Sequence, residues 1–264
     1  MGLLPRLAGV LSACLVPSTL IAGQIVLSDG PGWRVNATLG AFAPPIIDGD
    51  VGLQITTMAR STSMQDAKDM LDFTISGRAE AWHGNFGLIA DANHLGYSVP
   101  SRVSIGHIGT DGTLESTEQW ADLRAAYRVA KGELSNNVAV ALDVQGGLRW
   151  NNMDTIYVAD ILPGMPFPAS ERWVEPMIGA RFSFQLSDRW SGFAAADRST
   201  GSRSRGDRQW STSIALSTQL SERTHFTLGW RRYKLSVESE TGATNVQYNV
   251  RKSGPFFGLT YQFL

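Results

Sequence analysis

From 138 to 151 the chain alternates, with Val138, Val140, Leu142, Val144, Gly146, Leu148 and Trp150 on one parity and Ala139, Ala141, Asp143, Gln145, Gly147, Arg149 and Asn151 on the other. The stretch 173–186 divides the same way, Val174, Pro176, Ile178, Ala180, Phe182, Phe184 and Leu186 against Glu175, Met177, Gly179, Arg181, Ser183 and Gln185. Successive side chains of a β-strand point to opposite faces, so each stretch reads as a strand with one apolar and one polar face. The closing residues repeat the pattern, setting Pro255, Phe257, Leu259, Tyr261 and Phe263 against Gly254, Phe256, Gly258, Thr260 and Gln262. A wall with hydrocarbon outside and a polar interior produces this alternation.

Ten such strands are predicted, over 33–43, 71–82, 85–97, 120–130, 138–151, 173–186, 189–199, 209–219, 224–236 and 246–264. The connections between them alternate between short and long. His83-Gly84, 131–137, Ser187-Asp188 and 220–223 are turn-like, whereas 44–70, 98–119, 152–172, 200–208 and 237–245 are long and polar. An even strand number, short periplasmic turns and long outer loops describe a closed transmembrane antiparallel up-and-down β-barrel.

A soluble sandwich also alternates, but its aromatic residues have no reason to sort by height. On the lipid-facing parity Trp33, Phe86, Tyr127, Phe184, Trp190, Phe226, Tyr261 and Phe263 fall at the periplasmic end, and Trp150, Trp210 and Trp230 at the other. Leu39, Ala90, Leu142, Ile178, Ala194, Ile214 and Leu259 lie between them. Two aromatic belts around an aliphatic band mark two lipid–water interfaces. Two strands break phase: Tyr233, Leu235 and Val237 against Phe226, Leu228 and Trp230, and Tyr248 and Val250 against Phe257. Bulges near Arg231-Arg232 and Ser253-Gly254 would restore both, and so would strands that run on beyond the membrane.

Composition adds little to this pattern but excludes some classes. A net charge of −1 gives no bulk basic surface for nucleic acid. Mean hydropathy is −0.10, as expected when lipid-facing and lumen-facing residues cancel. Arg6, an uncharged stretch from Leu7 to Ile21, and then Ala22-Gly23 read as a secretory signal peptide, residues 1–23, followed by a barrel domain over 24–264. The weaker alternative is a lipoprotein box at 11–14. Cys14 is the only cysteine, so the mature chain is expected to form no disulfide or thiolate metal site.

The inward parity carries Arg34, Arg78, Arg124, Arg128, Arg149, Arg181 and Arg231 with Asp72, Glu80, Asp91, Asp122, Asp143, Glu175 and Asp197. The balance of signs points to a cross-linked lumen, because an unpaired charge in a narrow bore costs several kcal/mol. Ten strands leave little room between side-chain-filled small barrels and open porins. A structural plug and a narrow pore selecting by charge are the two readings. Residues 64–71 suggest a short helix over the mouth. Arg198, Arg203, Arg205 and Arg208 against Asp207, with Arg232 and Lys234 nearby, form a cationic outer cluster that could contact lipopolysaccharide phosphates.

For catalysis the outer half would need paired carboxylates, an Asp–His couple or a Ser–His–acid set. No Asp-x-His occurs. His83 and His225 belong to the periplasmic end, His94 has lipid-facing parity, and His107 completes the candidates. No catalytic residue, metal ligand set, phosphate loop or cofactor is assigned, and enzymatic activity is not expected.

Trp173-Val174-Glu175-Pro176-Met177-Ile178-Gly179-Ala180-Arg181, Leu186-Ser187-Asp188-Arg189-Trp190-Ser191, Leu220-Ser221-Glu222-Arg223, Leu228-Gly229-Trp230-Arg231 and Ser253-Gly254-Pro255-Phe256-Phe257-Gly258-Leu259 carry a resemblance. Together they resemble a group of uncharacterised proteobacterial outer-membrane barrels. The resemblance implies fold and location and transfers no activity. The expectation is therefore a monomeric outer-membrane barrel with a structural or surface role, or a narrow passive pore for small polar solutes. An outer-loop binding module for lipopolysaccharide or a surface ligand is the alternative, and a rim hydrolase is less favoured. The partners expected are membrane lipid, lipopolysaccharide and, through the C-terminal strand, the barrel-assembly machinery.

Overall fold

Backbone amides in hydrocarbon have no water to bond, so a spanning sheet must pair every edge with itself. The computed structural model describes residues 32–51, 55–60, 69–105, 108–134, 138–161, 164, 166–200, 208–241 and 244–263. Within them run β1 (Trp33–Phe42), β2 (Ile46–Val51), β3 (Ile55–Arg60), β4 (Leu71–His83), β5 (Phe86–Ile105) and β6 (Ile108–Leu134). Then come β7 (Val138–Ala159), β8 (Phe167–Gln185), β9 (Trp190–Thr200), β10 (Arg208–Ser221), β11 (Thr224–Thr241) and β12 (Thr244–Gln262). Each neighbouring pair is antiparallel. β1 closes the cylinder on β12, in register from Asn36 opposite Gln262 to Phe42 opposite Phe256.

The circumference is ten strands at both heights. In the periplasmic half β1 and β4 lie between β12 and β5. In the outer half the hairpin β2–β3 takes their place, β2 pairing with β12 and β3 with β5. Pro44 and Pro45 stand at the joint, where a chain without amide donors must leave the ladder. This hairpin occupies 46–60 of the first outer loop, and 64–68 of the anticipated helix lie outside the described residues. So do residues 1–31, with the expected signal peptide.

Membrane-facing positions match the sequence pattern. Trp33, Phe86, Tyr127, Trp190, Tyr261 and Phe263 are exposed at the periplasmic end, Trp150 and Trp230 at the outer end, and Leu39, Leu142, Ile178, Ile214 and Leu259 between. Two expectations are corrected. β11 and β12 pair without a register shift from Thr224–Tyr261 to Thr241–Thr244, so neither bulge exists. Segments expected as long loops are largely strand: β5 and β6 remain paired up to Ile105 and Ile108, and β7 runs to Ala159.

Both corrections have one cause. Below the outer Trp belt the wall faces lipid and its apolar side chains point outward. Above the belt the wall faces water, and the apolar side chains turn inward, as in a soluble sandwich. Phe226, Leu228 and Trp230 point out, and Tyr233 and Leu235 point in, on one unbroken strand.

The closing seam depends on Gly40, which stands opposite Gly258. A Cβ on Gly40 would lie 2.2 Å from the Phe257 carbonyl oxygen. Gly40→Ala should therefore lower stability by about 1–3 kcal/mol. It should reduce the fraction of folded barrel in unheated gel electrophoresis, while Gly77→Ala, where nothing lies within 4 Å of the added atom, leaves that fraction unchanged.

Candidate functional site

The lumen holds two stacked layers, and the lower is ionic. Asp197 pairs with Arg149 at 3.0 Å, and Arg149 grips Asp122 in a bidentate pair at 2.5 and 2.7 Å. Arg124 reaches Asp122 at 3.5 Å and also contacts Asp91, which Arg78 approaches at 3.6 Å. Arg78 donates to Glu80 at 2.6 Å, Arg181 to Glu80 at 2.8 Å and to Asp143 at 3.3 Å, and Arg128 to Asp143 at 2.9 Å. The result is one continuous network of five arginines and five acids, electrically neutral. Glu80 on β4 and Arg181 on β8 are not on neighbouring strands, so their bond crosses the bore.

Trp82 is part of this layer although its residue type gave no signal of it. Its indole Nε1 donates to Glu80 Oε2 at 2.8 Å, and the guanidinium groups of Arg128 and Arg181 lie 5.1 and 5.5 Å from its ring. Cation–π contacts of this kind are worth most where water is excluded. The inward parity of Trp82, shared with Arg78 and Glu80, was the available clue.

The upper layer is apolar. Ile47, Leu95, Tyr97, Val99, Leu114, Trp120, Met153, Tyr157, Ala159, Trp173, Tyr233, Leu235 and Val250 form one buried cluster drawn from β2, β5, β6, β7, β8, β11 and β12. Trp120 stacks on Tyr233 with ring centroids 5.4 Å apart. One ion pair sits inside it: Lys252 contacts Glu118, Tyr97 donates to Glu118 Oε1 at 2.9 Å, and the Lys252 ammonium lies 5.2 and 5.3 Å from the rings of Tyr97 and Tyr233. On the side of β9 and β10 the buried Ser199 and Gln209 complete the layer, Ser199 bonding Glu175 and Gln209 bonding Tyr233.

The expected lumen residues are thus distributed unevenly. Arg78, Glu80, Asp91, Asp122, Arg124, Arg128, Asp143, Arg149, Arg181 and Asp197 make up the network. Glu175 is buried but held by the Ser199 hydroxyl at 2.6 Å and by Asn151 at 3.4 Å. Arg34 is buried near the periplasmic end. Arg231 lines a cavity of about 210 Å³ between the network and the wall formed by β9 to β12 and β1. Asp72 is a correction: a register shift between Leu71 and Phe73 turns it outward, where Ser98 donates to it at 3.4 Å.

Of the lipopolysaccharide candidates, Arg203 and Arg205 lie outside the described residues and Arg208 opens β10. Arg232 points outward over the Trp210 ring at 5.8 Å. Cross-strand pairing puts Arg198, Trp210, Lys234 and Arg251 side by side in one outward row. Arg198 belonged to the expected cluster, whereas Arg251 carried no signal as an isolated strand residue. On the other side of the barrel, at similar height, a polar ladder runs outward: Gln119 bonds His94 Nδ1 at 3.1 Å, Asn152 donates to Gln119 at 3.4 Å, and Arg172 donates to Asn152 at 2.6 Å. His107 lies outside the described residues.

No family model matches the chain, so the resemblance to uncharacterised outer-membrane barrels gains no named family. No curated protein matches it in sequence. Among solved structures, the outer membrane protease OmpT from Escherichia coli is similar with a TM-score of 0.54 and 10% identity, over 90% of this chain and 99% of that one. The outer membrane protein OprG from Pseudomonas aeruginosa aligns at TM-score 0.40 and 11% identity, over 88% of this chain and 95% of that one. The translocator domain of the autotransporter NalP from Neisseria meningitidis aligns at 0.38 and 14%, over 89% of each chain. The fold is that of an outer-membrane β-barrel. One expectation is corrected by the first similarity: a barrel of this architecture serves as a protease, so the fold gives no ground for excluding an enzyme.

Breaking a buried ionic network by removing one partner leaves its neighbours charged and unpaired. Glu80→Ala, which strips Arg78, Arg181 and Trp82 of their shared acceptor, should lower the stability measured by urea titration by about 3 kcal/mol. Glu115→Ala, on the exposed outer wall, should leave the urea midpoint unchanged.

Proposed function

We propose that this protein is a sealed outer-membrane barrel with a surface role, in preference to a narrow passive pore. The observation that carries the reading is the apolar layer spanning the bore above a neutral ionic one. An ion moving through would have to enter the Trp120–Tyr233 stack without water, and then part a network whose bonds cross the lumen. In planar bilayers the purified barrel should give no current steps, and reproducible steps from the folded protein would overturn the reading.

The outward cations favour a second, compatible role in holding phosphorylated glycolipid of the outer leaflet. Lys234 and Arg251 are direct cross-strand neighbours, and although Asp48 stands on the other side of Arg251, the row Arg198, Lys234, Arg251 and Asp48 keeps a surplus of cations that suits an anion. Arg198 and Arg232 flank them beside Trp210, at the height of the outer aromatic belt, where lipid phosphates lie. Replacing Arg232, Lys234 and Arg251 together by Ala should weaken lipopolysaccharide binding by about tenfold or more, equivalent to at least about 1.4 kcal/mol. Unchanged binding in a pull-down on immobilised lipopolysaccharide would remove this role.

A further inference from the structure

We propose that the lumen contains a binding site for a small free oxyanion, reached from the periplasmic side and centred on Arg231. The ionic network balances five arginines against five acids, so it carries no charge to spare. Arg231 stands outside it. Each network arginine has a carboxylate within 4.0 Å, whereas the Arg231 guanidinium has no hydrogen bond or ion pair among the described residues, and its Nε is buried without a partner. Its one close aromatic neighbour is the Phe42 ring, 5.9 Å away. A guanidinium offers five donors in a planar fork that suits a carboxylate or phosphate, and on the half-buried Arg231 that fork is left without a direct partner.

Space is present beside it. Arg231 lines the 210 Å³ cavity, and its inward neighbour across the strand pair is Ser213, whose hydroxyl can donate to the same anion. The wall on that side mixes small residues, Ala195, Ser213 and Ser217, with Phe193 and Phe256, and the cavity lies between it and the ionic network opposite. It extends downward to Ser191 and Ser183, one and two residues from the periplasmic ends of β9 and β8. Above it the apolar layer blocks the outer route.

The site does not depend on the lumen being sealed, because it is tested in detergent micelles with both ends of the barrel free. Inorganic phosphate is titrated at constant ionic strength set with chloride, read by calorimetry and by the urea midpoint. Wild-type protein should bind saturably and gain stability as phosphate rises. Arg231→Gln should weaken binding at least tenfold and abolish the phosphate-dependent shift of the midpoint. Arg232→Gln, one residue on but outward-facing, should behave as wild type. Absence of saturable binding by the wild-type protein, or an equal phosphate response in Arg231→Gln, would overturn the proposal.

Discussion

Everything in this molecule follows from a hydrogen-bonded sheet that has no free edge inside hydrocarbon. Closing β1 on β12 satisfies the backbone, and once the backbone is satisfied the side chains are free to report what lies on each side of the wall. In the lower part they report lipid outside and ions inside. In the upper part they report water outside and an apolar core inside. The same strands serve both environments without a bulge between β11 and β12, because alternation by two carries over unchanged while the solvent changes.

That inversion organises the lumen. Where lipid takes the apolar side chains, the interior receives the polar ones, and ten strands bring arginines and acids close enough to bond across the bore. Where water takes the polar side chains, the interior receives tyrosine, tryptophan and aliphatic residues, and these pack as a soluble core does. The buried Lys252–Glu118 pair lies at this upper level, with aromatic faces around the ammonium. Neutrality of the ionic layer below it leaves Arg231 as the distinctive group of the cavity, and the space beside it leaves room for a counter-ion. On the outer surface, the cations of β9, β11 and β12 and the polar ladder of β5 to β8 both sit above the Trp belt, at the level where lipid gives way to water.

Strand number, the alternation of turns and loops, the aromatic belts and the inward parity of thirteen of the fourteen charged residues were legible along the chain, since each depends only on spacing within one strand. The register of one strand against another was not. Asp72 reads as inward by parity, and a shift at Leu71–Phe73 turns it out. Arg251 looks like an isolated cation until pairing sets it beside Lys234. Tyr233 and Val250 read as breaks in phase because a single rule of lipid outside was applied to strands that outlast the membrane.

The sequence by itself therefore determined a closed barrel with a lipid-facing band, because a period of two and the height of an aromatic residue are properties of one strand and its solvent. Only the tertiary structure decided which charges cancel, which one is left over and where the bore is filled. Those outcomes depend on distances across the cylinder, such as Glu80 to Arg181 over 101 positions, and no local pattern encodes a contact between strands that are not neighbours.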